Sequence, residues 1–131
     1  MTVTCTDPRI NVATLQHAAD IFGGRTYSYT PMGAGKEIID CQGIFGPDHQ
    51  LSKHYKNGVR TVIIYAHNDC LPYRSICRDM NPGQEEKHQK GELRRARALL
   101  KKAFPDVWVR CFYAEIEVSE KGRIKKIIEV K

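Results

Sequence analysis

The sequence lacks any apolar run long enough to cross a bilayer, and its N-terminus lacks a charged segment followed by an apolar one. We therefore expect no membrane span, no secretory signal and a cytoplasmic location. Its five cysteines are odd in number and irregular in spacing, which argues against a disulfide framework and favours metal binding or burial. Internal repeats and linker-like tracts are also absent. The 131 residues, 41% hydrophobic, can build one core, so we expect a single domain over residues 1–131.

Acidic residues are outnumbered, because 21 Lys and Arg against 15 Asp and Glu give a net charge of +6. Much of the excess lies in residues 87–102 and 121–126, which permits attraction to anions or nucleic acid. Neither run contains an aromatic residue, which a single-strand binder uses for base stacking. We interpret the two runs as a solvated helix face and a charged hairpin end, with nucleic-acid binding kept as an alternative.

Hydrophobic periodicity predicts an α/β fold. Strands are predicted over residues 2–4, 26–30, 59–66, 107–118 and 123–130, and helices over 12–22, 51–56 and 84–104, while 36–45 is ambiguous. The almost continuous apolar run 59–66 is typical of a central parallel strand that is covered on both faces. We predict a mainly parallel central sheet with strand order 2-1-3-4, a C-terminal hairpin strand and flanking helices.

Spacing also predicts which side chains of the two long helices face the core. These are Val12, Leu15, Ala18, Ala19 and Phe22 in the first helix, and Leu93, Ala96, Leu100 and Ala103 in the last. Three cysteines without a partner motif are expected to be buried apolar residues, namely Cys41, Cys77 and Cys111. Four scattered histidines are expected at the solvated surface: His17, His49, His54 and His88.

Two short blocks each follow a predicted strand. Cys5-Thr6-Asp7-Pro8-Arg9 follows the first strand, and His67-Asn68-Asp69-Cys70 follows the third. In an open α/β sheet, ligands bind outside the carboxyl ends of the strands where the strand order reverses. With Cys5 on one side of that crevice and His67 and Cys70 on the other, two thiolates and an imidazole would meet. Such a set suits a tetrahedral zinc ion with its fourth position open, as in catalytic sites.

Each motif alone is weak evidence for a metal site, and only the two together favour one. A His-x-x-Cys spacing is weak alone, because roughly one random chain in five with this many His and Cys would show it. A buried Cys5 could be a small hydrophobic residue, and Asp7 with Arg9 could be a surface ion pair. The conjunction of both blocks at strand ends favours the metal site.

On these two motifs the chain resembles the β-class carbonic anhydrases, whose hallmarks are Cys-x-Asp-x-Arg and His-x-x-Cys. Residues 52–67 are similar to the helix and strand that lead into the family's histidine, and residues 109–116 with the following Lys-Gly-Arg turn are similar to its late strand and hairpin. The resemblance implies that family's fold, Zn²⁺ as cofactor, carbon dioxide and bicarbonate as substrates, and a homodimer or higher homo-oligomer.

The resemblance also implies a role for each motif residue. Cys5, His67 and Cys70 become zinc ligands, and Asp7 and Arg9 become a catalytic pair beside the open position. Zinc lowers the pKa of bound water to about 7, so a zinc-bound hydroxide would hydrate carbon dioxide reversibly. Asp7 would orient that hydroxide while Arg9 holds Asp7. In a closed state of the family the aspartate becomes the fourth ligand, which Asp7 could also do.

The sequence departs from the family's pattern in three places. Only residues 1–4 precede Cys5, so we expect the family's N-terminal helical arm and its glutamine to be missing. Leu71 stands where the family has Gly, and Met32-Gly33-Ala34-Gly35 stands for Arg-Asn-Ala-Gly. Two further alternatives stay open: hydrolysis of carbonyl sulfide or carbon disulfide at the same site, and a non-catalytic zinc or redox-sensing module that kept the fold.

Overall fold

The structure is a computed structural model that describes residues 1–24, 26–117 and 123–131. Five strands form one sheet: β1 (Thr2–Val3), β2 (Ser28–Tyr29), β3 (Thr61–His67), β4 (Trp108–Ile116) and β5 (Ile124–Val130). Their order is β2-β1-β3-β4-β5, and every pair is parallel except β4 with β5. The predicted α/β class and strand order are confirmed. Val118 and the predicted turn over 119–122 lie outside the described residues.

Helices flank this sheet. They are α1 (Pro8–Phe22), α2 (Gly35–Asp40), α3 (Gln50–Lys56), α4 (Arg74–Cys77) and α5 (Pro82–Ala103), with 3₁₀ turns at Gln42–Phe45 and Leu71–Tyr73. The ambiguous segment 36–45 is therefore helical except at Cys41, which is extended, and α4 was not predicted. None of the helices formed by the described residues is long and apolar enough to cross a membrane.

Local chemistry fixes the start of both long helices. Asp7 caps α1 by accepting a hydrogen bond from the Arg9 N–H at 2.9 Å, and a proline opens the helix. The start of α5 is a capping box, in which Asn81 and Gln84 each accept a hydrogen bond from the other's backbone. Asp7 therefore lies in the short loop between β1 and α1, so the residue that caps the helix belongs to the motif that contains Cys5.

The core lies mainly on the side of the sheet that α2 and α5 cover. There the buried side chains of β3 pack with those of α5: Val62, Ile64, Ala66, Leu93, Ala96 and Leu100. On the opposite face Ile63 and Tyr65 pack with Ala18 of α1 and Phe112 of β4. The strand β3 is thus covered on both faces, as its apolar run predicts.

The predicted inward face of α1 is confirmed at Ala18 and wrong at Val12 and Phe22, while Leu15 and Ala19 are half-buried. Val12 is 76% exposed and Phe22 is 37% exposed, whereas Ile10, Thr14 and Ala18 are the buried residues. A polar residue occupies the inward face because Thr14 binds the Thr4 hydroxyl at 2.8 Å and donates to the Ile10 carbonyl at 2.9 Å. Those bonds satisfy a hydroxyl that apolar periodicity treats as outward-facing.

Three smaller expectations also fail in whole or in part. Ala103 is exposed at the end of α5, and the buried residue of that helix that the pattern missed is Gln89. Cys41 is exposed in the junction after α2 and Cys77 is half-buried, so only Cys111 is buried as expected. The four histidines are half-buried rather than fully solvated. His17, for example, binds the Tyr65 hydroxyl at 2.7 Å.

Candidate metal centre

Cys5, His67 and Cys70 lie together at the carboxyl ends of β1 and β3. Their ligand atoms all lie within 4.8 Å of one another and all three residues are buried. The two Sγ atoms are 3.8 Å apart. Parallel pairing of β1 with β3 brings both strand ends to the same edge of the sheet. No fourth His, Cys, Asp or Glu belongs to this group within the described part of the chain.

The imidazole of His67 has one nitrogen available for an ion. Nδ1 lies 2.8 Å from the Asn68 carbonyl oxygen, which assigns the proton to Nδ1. Nε2 is buried and has no hydrogen-bond partner among the described residues. A buried nitrogen without a partner is costly, and a metal ion would satisfy it. Two thiolates and one imidazole are a zinc donor set, so the residues present fit that ion.

The two thiols are electrostatically coupled. The Cys70 thiol pairs with Cys5 Sγ, which also accepts a hydrogen bond from the Gly33 N–H at 3.3 Å. The Cys70 contact lowers the pKa of Cys5, whereas the same contact and burial raise the pKa of Cys70. Two adjacent thiolates repel each other, so a divalent cation between them is what would favour the loss of both protons.

Asp7 and Arg9 form a tight pair next to this group. The Arg9 Nε lies 3.0 Å from Oδ1 and 3.1 Å from Oδ2 of Asp7, and Nη2 lies 2.6 Å from Oδ2. Hydrogen bonds from Arg9 hold the pKa of the Asp7 carboxyl below its usual value. Both carboxylate oxygens of Asp7 accept hydrogen bonds from Arg9, and Asp7 is not part of the Cys5, His67 and Cys70 group.

The sequence did not predict that Arg9 also binds a second carboxylate, that of Asp69. The Arg9 Nη1 donates to Asp69 Oδ2 at 2.9 Å, and Nη2 donates to the Asp69 carbonyl oxygen at 3.1 Å. The guanidinium therefore ties the first motif to the second. A charged residue between His67 and Cys70 was the available signal, but no sequence pattern indicates which arginine it contacts.

The loop before α2 closes one side of the centre. Gly33 has a φ of 77° and its N–H points at Cys5, while a Cβ added there would lie 3.2 Å from Pro72. A side chain at this position would strain the backbone and press on the turn after Cys70. Leu71, the residue after Cys70, is 61% exposed, so most of its side chain lies in solvent.

No family model matches the sequence, and no curated protein matches it. The fold is similar to that of the crystal structure of β-carbonic anhydrase isoform I from the protozoan Trichomonas vaginalis, with a TM-score of 0.55 and 15% sequence identity. The alignment covers 98% of this chain and 80% of that one. At this identity the likeness is one of fold, so the chain has an α/β architecture similar to that of a β-carbonic anhydrase.

Proposed function

We propose that this chain is a zinc enzyme that reversibly hydrates carbon dioxide to bicarbonate. The observation that carries the proposal is the buried Cys5, His67 and Cys70 group with its unpartnered histidine nitrogen. The adjacent pair of Asp7 and Arg9 supports it, because the pair supplies an ionised acceptor beside the metal ligands. The similarity of fold to a β-carbonic anhydrase supports the same reaction class.

The three ligands and the ion have complementary charges. Cys5 and Cys70 as thiolates would offset the two positive charges of the ion, and His67 would bind through Nε2 with its proton held on Nδ1. When bound, zinc lowers the pKa of a coordinated water to about 7 and so supplies a nucleophile at neutral pH.

Asp7 and Arg9 would orient the reacting water. An ionised carboxylate can only accept a hydrogen bond, so Asp7 would accept one from the O–H of the reacting solvent molecule and leave an oxygen lone pair free for carbon dioxide. Arg9 keeps Asp7 ionised and holds its orientation through several hydrogen bonds. The Asp7 side chain is only 13% exposed, which limits competition from bulk solvent.

Zinc content and carbon dioxide hydration of the purified protein test the proposal together. We expect about one zinc per chain, and hydration by stopped-flow spectrophotometry between about pH 6 and 9. Cys70→Ser should lose both, whereas Cys41→Ser, at an exposed cysteine outside the group, should keep both. Bound zinc without hydration would overturn the enzyme and leave a non-catalytic zinc module. Sulfide release from carbonyl sulfide or carbon disulfide, without hydration, would indicate the sulfur analogue hydrolase.

We further propose a homo-oligomer, a single domain over residues 1–131 and a cytoplasmic location. Exposed apolar side chains on one side of α1, including Val12 and Phe22, support self-association, and Phe22 packs edge-to-face on exposed Trp108. Packing of α1, α2 and α5 on one sheet supports a single domain. All five cysteines are free thiols, which suits a reducing compartment. A monomer in analytical ultracentrifugation at about 10 μM would contradict the oligomer.

A further inference from the structure

The turn between His67 and Cys70 is held by side chains from other parts of the chain. Asn68 donates its Nδ2 to the Ile116 carbonyl at 2.9 Å, and its Oδ1 accepts the Ile116 N–H at 2.7 Å. This pair of bonds fixes the first residue of the turn to the end of β4. The second residue of the turn, Asp69, is held differently.

Asp69 has a backbone φ of 52°, in the left-handed region that an L-residue other than Gly rarely adopts. Both of its backbone polar groups bind charged side chains. Its N–H donates to Glu85 Oε1 of α5 at 2.7 Å, and its carbonyl oxygen accepts from Arg9 Nη2 at 3.1 Å. An unfavourable conformation persists only where surrounding contacts hold it, and these two bonds do so.

Glu85 is itself fixed in place. The fully buried Gln89, one helical turn later, donates its Nε2 to Glu85 Oε1 at 3.1 Å. Asp69 and Glu85 both line a cavity of about 580 Å³ that also borders Cys70. On that side polar contacts hold Asp69: its N–H donates to Glu85, and its carboxylate lies 3.4 Å from Arg74 Nε.

We propose that Glu85 is a positioning residue of the metal centre. By holding the Asp69 N–H, it keeps His67 and Cys70 aimed at one ion. The inference rests on the metal binding proposed above. Removing a group that orients a metal ligand, without itself binding the metal, typically lowers metal affinity by about 10–100-fold.

The proposed role of Glu85 depends on the length of its side chain, which brings an acceptor oxygen to the Asp69 N–H, and not on its negative charge. The donor is a neutral peptide N–H, so a neutral carbonyl oxygen at the same position can replace the carboxylate oxygen. A side chain one methylene shorter leaves the acceptor out of reach of the N–H.

Three substitutions separate reach from charge. Glu85→Gln keeps the reach and removes the charge, Glu85→Asp keeps the charge and shortens the reach, and Glu85→Met keeps the length without an acceptor. The matched control is Glu86→Asp, at the next residue of α5, which pairs with Lys90. Zinc affinity is measured by competition with a chromophoric chelator, and amide hydrogen exchange of Asp69 is measured in the metal-free proteins.

We expect Glu85→Asp and Glu85→Met to lose about tenfold or more in zinc affinity and to exchange the Asp69 amide faster. Glu85→Gln and Glu86→Asp should stay within about threefold of the parent protein in affinity. Unchanged affinity in both Glu85→Asp and Glu85→Met would overturn the inference, and so would a loss confined to Glu85→Gln. Glu85→Met decides the matter if Glu85→Asp does not fold.

The outcomes for the enzyme and for Glu85 are distinguishable. If the parent binds zinc but hydrates no carbon dioxide, the proposed reaction fails while the order of zinc affinities still decides the role of Glu85. If the affinities are equal and hydration is present, the role of Glu85 fails and the reaction stands. A parent protein that binds no zinc overturns both.

Discussion

Arg9 binds the carboxylate of Asp69, sixty residues later in the chain, with Nη1 2.9 Å from Oδ2. The same guanidinium donates hydrogen bonds to the Asp7 carboxylate through Nε and Nη2. One side chain thus connects the loop after β1 with the turn after β3. Arg9 therefore links the two segments of the chain that carry Cys5, His67 and Cys70, and it holds Asp7 beside them.

Arg9→Lys should therefore reduce carbon dioxide hydration while zinc stays bound. A lysine ammonium is a compact charge without the planar set of donors that lets the Arg9 guanidinium hydrogen-bond to Asp7 and Asp69 at the same time. We expect kcat to fall by about tenfold or more, measured by stopped flow with zinc content determined in parallel. Arg60→Lys, at an exposed arginine paired with Asp106, should leave both unchanged. Full hydration activity in Arg9→Lys would contradict the proposal that the Arg9 guanidinium supports the reaction by binding Asp7 and Asp69 together.

Asp7→Asn should slow carbon dioxide hydration without changing zinc binding. The amide can donate as well as accept, so it no longer selects the O–H of the reacting water. We expect kcat/KM to fall by about 100-fold, within the range for positioned acid–base groups, at unchanged zinc stoichiometry. Equal loss of zinc and activity would instead place Asp7 among the ligands.

The Asp7 and Arg9 pair should also give a pH dependence in the metal-free protein. Arg9 lowers the pKa of Asp7 in the folded state, so the folded state binds fewer protons there than the unfolded state. The resulting stabilisation is present above the unfolded pKa of about 3.9 and is lost as the pH falls through the lower folded value. In urea titrations, the stability difference between the parent and Asp7→Asn should shrink below about pH 4. A difference that grows with acidity would contradict this.

The buried hydroxyl pair beneath α1 gives a prediction about the fold. Thr14→Val leaves the buried Thr4 hydroxyl without its 2.8 Å partner, which should cost about 1–3 kcal/mol in the free energy of unfolding. The double variant Thr4→Val with Thr14→Val removes both polar groups and should recover most of that loss. Urea unfolding of the three proteins measures the effect. A double variant less stable than Thr14→Val would contradict the explanation.

Much of the fold could be predicted because its strands are encoded locally. The apolar run before His67 marks β3 as central, and parallel pairing then brings the ends of β1 and β3 to one edge. Ala18 of α1 is buried as its spacing predicts, but the burial of Thr14 could not be predicted, since it depends on bonds to Thr4 and Ile10. Apolar periodicity carries no information on such satisfied hydroxyls.

The meeting of Cys5, His67 and Cys70 could be predicted from the two motifs, but the contacts that support this group could not. Glu85 reaches Asp69 from another element, sixteen residues away, and nothing in its helical spacing distinguishes it from Glu86. The exposure of Cys41 was likewise missed, because burial of cysteine is only a general tendency and this one lies in a junction after α2. Tertiary contacts of single polar residues decide these features.

The coordination of the bound ion tests the central claim most directly. X-ray absorption at the zinc edge of the purified protein should show two sulfur ligands at about 2.3 Å, one imidazole nitrogen at about 2.0 Å and one further oxygen. In Cys5→Ser one sulfur should disappear. A site with four sulfur ligands, or one without sulfur, would contradict the account that Cys5, His67 and Cys70 hold the ion.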